Sequence, residues 1–536
     1  METLYYNGTI ITMESEDFFP EAVYVKDGII TAIGDFDTLA KNKSESCFIY
    51  DMQGATLMPS FIDGHGHFAM ACQQYLTKVN LEDAHCFDDI TYLLKKFIED
   101  NHIPAGQTVL GSSYDHNFLQ EKTHPDKRIL DQASDQHPIV ISHVSGHMGV
   151  ANSLALKKAN IDASTPDIAG GLIARYPNSS EPTGYLEETA IMLANSNNPP
   201  SFTTPLQDLL IVGQKIYIEN GVTTVQDGAA LEAILESIRN ADATGNLKVD
   251  VVAYPLVQKP ESIAAIMNQN ADICGKYQQH VKIGGYKLVL DGSPQGKTAW
   301  LSKPYENSGT YCGYPWLDDT QVHTFIKKAL EDNQQLLTHC NGDAASQQLL
   351  DIYEYELALS DNPNKNNLRP VMIHCQTVRD DQLERMAKMN MIPSIFVAHT
   401  WYWGDIHLQN LGSERGNHVS PVKSALNNGL CYNFHTDTPI TQPDLLHSVW
   451  AAVNRVTRND VKIGAEQCVS VYEALKGITI NPAYAYFEEN SKGSIKIGKR
   501  ADLVILDRNP LTIDKMAIKD IQILETIKDG ETIYKK

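Results

Sequence analysis

Eight short apolar segments, rich in β-branched residues, recur through this chain, each separated from the next by enough residues for a helix. In order they are LMPSFIDGHGH (57–67), GVTTVQDGA (221–229), VDVVAYPLV (249–257), IGGYKLVLDG (283–292), QLLTHCNGD (335–343), RPVMIHCQ (369–376), MIPSIFVAHT (391–400) and CYNFHTD (431–437). Continuous apolar runs, as opposed to strict alternation, suit strands buried on both faces of a parallel sheet. Eight of them alternating with helices predict an α/β chain built on a (β/α)8 TIM barrel, whose active site gathers at the C-terminal ends of the strands. His65, His67, Asp227, Lys287, His339, His374, His399 and Asp437 all fall at such ends.

The two chain ends follow a different rhythm. LYYNGTIITM, AVYVKDGIITAIG and CFIYDMQGATLMP at the start, and KGSIKIGKRADLVILD and ILETIKDGETIYK at the finish, read as short strands joined by NG and KDG turns. The expected organisation is a small β-sandwich domain made from residues 1–56 and 481–536, around a barrel at 57–480. The first and second barrel segments are too far apart for one βα unit, so an inserted subdomain is expected at about 75–210. It holds helix-like DDITYLLKKFIED and NSLALKKAN, and a strand-like PIVISHVSG.

Charge narrows the partners. With 44 basic and 66 acidic residues the net charge is −22, and no basic tract appears. This argues against nucleic acid and an anionic membrane surface and for a small-molecule substrate. No run of eighteen apolar residues is present, and METLYYNGTIITMESEDF lacks the basic and apolar regions of a signal peptide, so a cytoplasmic location is expected. The nine cysteines form no CxxC pair and read as free thiols. Self-association into a homo-oligomer is compatible with such a barrel, but no residue fixes a symmetry.

The chemistry lies in the histidines. His65 and His67 are two residues apart, so on an extended chain they share a face and can share a cation. His339, His374 and Asp437 stand at equivalent strand ends and can converge with them. One lone histidine in an apolar run is ordinarily a hydrogen-bonded core residue; five groups so placed point to a divalent-metal site, with zinc the natural cation for such donors. Lys287 lies inside an apolar strand, where a cation is costly unless paired or neutralised. Two readings stay open at that point: a salt bridge to Asp437 or Asp227, or a carbamate able to bridge two metals.

PSFIDGHGH, YKLVLDGSPQGKTA, THCNGDAA, RPVMIHCQ and HTDTPI, closed by GSIKIGKRADLVILD, together resemble the amidohydrolase superfamily. More narrowly they resemble its branch of YtcJ-like proteins and N-substituted formamide deformylases. Ser60 departs from the commoner PGFID, and HTD from the SD usual around the aspartate; neither touches a ligand position. The resemblance implies His65, His67 and Asp437 on one metal, His339 and His374 on a second, and Lys287 as a carbamate across both. A one-metal site of His65, His67, His339 and Asp437 is the competing arrangement.

A cation so held would activate water against the carbon of an amide or formamide-like C–N bond, with Asp437 moving the proton. Two alternatives are a catalytically silent binding protein on the same barrel and a metal-dependent lyase or isomerase. His143 and His147, in HVSGHMGVAN, and Trp403, in HTWYWGDIH, are candidate substrate contacts, with Tyr114, Asp115 and His116 weaker ones; a solvent-exposed loop position competes for His147 and ordinary packing for Trp403. His147 resembles a substrate-facing histidine of the branch. Alternation turns Cys340 and Cys375 away from the metal.

Overall fold

The computed structural model describes residues 2–144, 148–166, 168, 171–200, 204–257 and 259–536. The chain divides into two compact units, one of Met1–Ala71 with Leu210–Lys536 and one of Cys72–Leu209.

In the first unit the apolar segments form parallel strands in two sheets. The strands β1 (Phe61–Ile62), β2 (Val222–Ala230), β3 (Asp250–Pro255) and β4 (Val281–Ile283) lie in the order β4-β3-β2-β1. The strands β5 (Gly285–Val289), β6 (Gln335–Cys340), β7 (Val371–His374), β8 (Ile392–Ile395) and β9 (Asn433–Phe434) follow in sequence order. Only Gly284 separates β4 from β5. A Cβ on Gly284 would stand 2.5 Å from the Tyr254 ring and one on Gly285 2.1 Å from the Gln335 carbonyl oxygen, so the strand breaks where its neighbours leave no room for side chains. Backbone hydrogen bonds from Gly284 to Ala253 and from Val257 to Lys287, both 2.9 Å, connect the sheets on one side; Gly64 to Phe434, 3.1 Å, connects them on the other. Helices intervene: Asp319–Glu331, opened by a capping box of Asp318 and Gln321, precedes β6, and Asp343–Leu359 and Asp380–Lys388 follow β6 and β7. The family of folds is of TIM-barrel type.

The first apolar segment is not one strand. Thr56–Pro59 pairs antiparallel with Leu503–Leu506, while Phe61–Ile62 pairs with β2. Ser60 is the pivot: its N–H donates to Asp502 O, 3.0 Å, and its hydroxyl meets that of Thr223, 2.6 Å. Strands from both chain ends therefore share a sheet, in the order Thr9–Ile10, Thr56–Pro59, Leu503–Leu506, Ile523–Lys528, Glu531–Lys535.

The unit Cys72–Leu209 carries more strand than its sequence suggests. Besides the helices Phe87–Asp100 and Ser153–Lys158 it holds a six-stranded sheet, of which Ile139–His143 is one member. Its other strands are short and several contain glycine (VLGSSY, MGVA, GLIAR, PTGYLEE), which blurs the period-two signal. Both faces are covered: Ile139 and Ile141 pack with Val109, Leu94 and Leu130, and Val140 with Leu156, Ile173 and Leu186. Among the described residues no helix is long and apolar enough to cross a membrane.

A buried charge cluster ties the C-terminal segment to β3. The Asp250 carboxylate, wholly buried, receives Lys492 Nζ at 2.5 Å, Lys528 Nζ at 2.6 Å and His280 Nδ1 at 2.7 Å. Burial alone would raise its pKa; Lys492 and Lys528 outweigh that and hold it well below the usual carboxylate range. Because the folded value is depressed, this carboxylate's contribution to stability is complete above the unfolded pKa and is lost only as pH falls through the lower, folded one. Asp250→Ala removes the carboxylate that both ammonium groups share, leaving Lys492 to Glu488 and Lys528 to Asp502, and should destabilise the unit by about 3 kcal/mol. The expected result is a lower urea midpoint by far-UV circular dichroism at neutral pH; a midpoint unchanged from the parent protein would show the cluster to be dispensable.

Candidate metal centre

After β1 the chain turns through Asp63–His67, and it is fastened there to the turn after β9. The Asp63 carboxylate accepts from the His65 and Thr436 N–H groups, 3.3 and 3.2 Å, and from the Thr436 hydroxyl, 2.5 Å. Asp437 N–H donates to His65 O, 3.1 Å, and His67 N–H to Thr438 O, 2.8 Å. A Cβ on Gly64 would stand 2.2 Å from Asn433 Oδ1, so glycine is what allows this approach. The consequence is convergence: His65 Nε2 and His67 Nε2 lie 3.5 and 3.3 Å from Asp437 Oδ1, and all three ligand atoms fall within 4.8 Å of one another.

The remaining predicted ligands sit beside this trio. Lys287, on β5, is buried and its Nζ is 3.2 Å from His65 Nε2. His374 Nε2 faces His339 Nδ1 at 2.9 Å, and His435 Nε2 faces His374 Nδ1 at 3.3 Å. His374 and Asp437 hold positive φ angles of 75° and 53°, a costly conformation for either residue and one that clusters at functional sites. Gln226, on β2, fixes the His65 tautomer. Its amide nitrogen donates to Gly64 O, 3.1 Å, and to the Tyr486 hydroxyl, 2.9 Å, so its carbonyl oxygen is the atom left to accept from His65 Nδ1. Nε2 of His65 then presents a lone pair to the centre.

Electrostatics favour uncharged imidazoles. Burial holds His65 and His374 well below the usual histidine range, His339 at about 4 and His435 at about 3. Burial also draws Lys287 down to about 8. Burial would raise Asp437, but His67, His435 and Lys287 outweigh it and keep the carboxylate ionised. Asp437 Oδ1 is buried with no hydrogen bond among the described residues, although it points at two imidazole nitrogens. A buried carboxylate oxygen short of a donor, set beside the neutral His65 and the His67 ring nitrogen, fits a divalent cation.

A family model matches residues 49–534 under the description Amidohydrolase family. The chain belongs to the amidohydrolase family. Within that family it is 27% identical to the putative amidohydrolase YtcJ of Bacillus subtilis (strain 168), over all of both chains. It is 26% identical to the N-substituted formamide deformylase of Arthrobacter pascens, covering 99% of this chain and 98% of that one. Among solved structures, an uncharacterized metal-dependent hydrolase from Pyrococcus furiosus matches with a TM-score of 0.74 and 25% identity, covering 96% of this chain and all of the other. The amidohydrolase likeness thus extends over nearly the full length, and the relatives are those of the YtcJ-like branch.

His65, His67, Lys287, His339, His374 and Asp437 are all brought to this one end of the amidohydrolase strands. Asp227 instead accepts from Ala69 N–H, 2.9 Å, and supports the turn after His67. His399 lies past the end of β8 in the helical turn His399–Tyr402, its Nδ1 3.1 Å from His407 Nε2. Trp403 is buried against His399 and Phe396, with ring centroids 4.4 and 6.1 Å apart, while Trp401 and Tyr402 stay half-exposed beneath the Arg458 guanidinium. Tyr114 and His143 belong to the unit Cys72–Leu209, opposite each other at the ends of neighbouring strands. His147 lies outside the described residues.

Sequence reasoning missed His435, Gln226 and Asp63. His435 precedes Asp437 by two residues and so repeats the His65–His67 spacing, a signal that was present. Gln226 is an amide inside an apolar strand, a costly placement that itself asks for a partner. Gly228 matters as well: a Cβ there would stand 2.2 Å from His65 Cε1. Gln226→Leu removes the acceptor that orients His65 and should weaken zinc binding by roughly 10–100-fold, and Gly228→Ala should act in the same direction by displacing the ring. Calorimetric titration of chelator-stripped protein with zinc, with circular dichroism as the folding control, reads both; unchanged affinity in correctly folded variants would contradict the assigned orienting role.

Proposed function

We propose that this amidohydrolase cleaves a C–N bond of an amide or formamide-like small molecule with activated water. In this reading its two parallel sheets close into one (β/α)8 barrel, and a small β-sandwich domain is assembled from both chain ends. The observation that carries the proposal is the convergence of His65 and the partly exposed His67 on the buried, unbonded Asp437 Oδ1. Likeness to a protein named as an N-substituted formamide deformylase supports the bond type.

His65, His67 and Asp437 would hold one cation, and His339 and His374 a second, with Lys287 as a carbamate between them; zinc suits this donor set. A bound divalent cation supplies Lewis acidity, bringing the pKa of water toward roughly 7 and polarising the substrate carbonyl. The chain's own residues do the rest. Ionised Asp437 takes the proton from the attacking water and returns it to the departing nitrogen, acting first as base and then as acid. Gln226 keeps His65 aligned, and Asp63 holds the two turns that carry His65, His67 and Asp437 together. Lys287, lowered to about 8, presents a far larger unprotonated fraction near neutral pH than an ordinary lysine, and that is the form that reacts with carbon dioxide. The buried imidazole walls exclude bulk water from the developing charge.

Three measurements test this. Elemental analysis of protein purified without chelator should show bound metal falling by about one ion per chain in Lys287→Ala. Asp437→Asn should lower kcat on a responsive amide or formamide by roughly 10²–10⁴-fold, and the product carboxylate should carry oxygen from labelled solvent water. Products free of solvent oxygen would sink the hydrolytic reading, and metal content indifferent to Lys287→Ala would remove the lysine from the metal site.

A further inference from the structure

The unit Cys72–Leu209 contains its own convergence of metal-type donors, unrelated to the barrel residues in sequence. Asp115, His116 and His143 offer one carboxylate oxygen and two ring nitrogens that all lie within 4.8 Å of one another. We propose that Asp115, His116 and His143 form a further divalent-cation site, built entirely within the inserted unit and distinct from the one that the family membership implies.

Backbone geometry brings these residues together. Strands Val109–Tyr114 and Ile139–His143 run parallel and end together, with Tyr114 opposite His143. The register slips between Ile141 and His143, and Ser113 has a φ of +70°. Such irregularities re-aim the last side chains of a strand pair, as bulges beside functional sites do. Asp115 then starts an Asx turn: its Oδ1 accepts from Asn117 N–H at 2.9 Å and from the Asn117 side-chain amide at 3.0 Å, which fixes the carboxylate.

The distances suit a shared cation. His116 Nδ1 and His143 Nε2 are 3.1 Å apart, and Asp115 Oδ1 is 3.5 Å from the latter and 3.9 Å from the former. The carboxylate's 3.9 Å separation from His116 is too long for a hydrogen bond, and its 3.5 Å separation from His143 is at most a long one. Donors about 2.0–2.1 Å from one tetrahedral ion stand roughly 3.3 Å apart, and the three observed edges bracket that value. The barrel trio, with edges of 3.3 and 3.5 Å to its carboxylate, has the same dimensions.

The surroundings hold the ligands in place. The His124 ring stacks on His116 with centroids 3.9 Å apart, and is itself fixed by Tyr114, whose hydroxyl meets His124 Nδ1 at 3.0 Å, and by Tyr185 at 4.3 Å. His143 is buried; Asp115 and His116 are partly exposed, so an ion can enter. Two imidazoles and one carboxylate leave a fourth position open and suit zinc, with cobalt as its spectroscopic substitute.

The full-length protein with His65→Ala, His67→Ala, His339→Ala and His374→Ala together removes the histidine ligands of both cations proposed for the first unit and isolates the new site. Chelator-stripped, this variant is titrated with Co²⁺ and read by visible absorption and elemental analysis. The expected result is about one retained ion per chain, whose affinity falls at least roughly tenfold when Asp115→Asn or His143→Gln is added. Asp115→Asn is isosteric and carries the test if His143→Gln fails to fold. Equal cobalt binding with and without Asp115→Asn would overturn the proposal. So would a His143→Gln variant in the otherwise native chain that alters KM for a substrate while leaving metal content unchanged, since that places His143 against substrate.

Discussion

Three backbone hydrogen bonds, Gly64 to Phe434, Asp437 to His65 and His67 to Thr438, join the turn after the first parallel strand to the turn after the last. The rest of the site depends on them. His65 and His67 leave β1 together, but Asp437 is more than three hundred residues away in sequence, and only this seam sets its carboxylate against their Nε2 atoms. Asp63 reinforces the seam with side-chain hydrogen bonds to the same two segments. Its carboxyl is wholly buried and raised to about 7 by that burial, a cost accepted where three donors converge on it.

Burial sets the chemistry as much as position does. Imidazoles placed in a dry enclosure lose their protons because the charged form is poorly solvated. For histidines in water this would be a loss; facing one another they gain lone pairs directed at a common point. The same exclusion of solvent brings the Lys287 amine within reach of neutrality and leaves one oxygen of Asp437 without a donor. Each of these states is unfavourable for its own residue, and together they are complementary to positive charge.

The strands and their order of appearance were legible in the sequence because parallel strands buried on both faces must be apolar runs, and residues such as Val251, Val252 and Ala253 or Val371, Met372 and Ile373 can be little else. The ligand candidates were legible for the complementary reason: a histidine, lysine or aspartate at the end of such a run is out of place unless it has a task. Less legible was whatever depended on a neighbour distant in sequence. Ser60 gives no local sign that it divides its segment between two sheets. Gln226 is a lone amide until His65 is seen beside it. The sheet of the inserted unit was obscured by glycine-bearing strands whose alternation is weak, so the strand Val109–Tyr114, which sets Asp115 and His116 beside His143, went unread.

The charge cluster around Asp250 has a consequence for how separable the parts of the first unit are. Its carboxylate stands on β3, while Lys492 and Lys528 belong to the segment that returns to the sheet shared with the N-terminal strands. A cut that removed that segment would strip a wholly buried anion of two counterions, so the parallel strands and the strand Ile523–Lys528 stand or fall together.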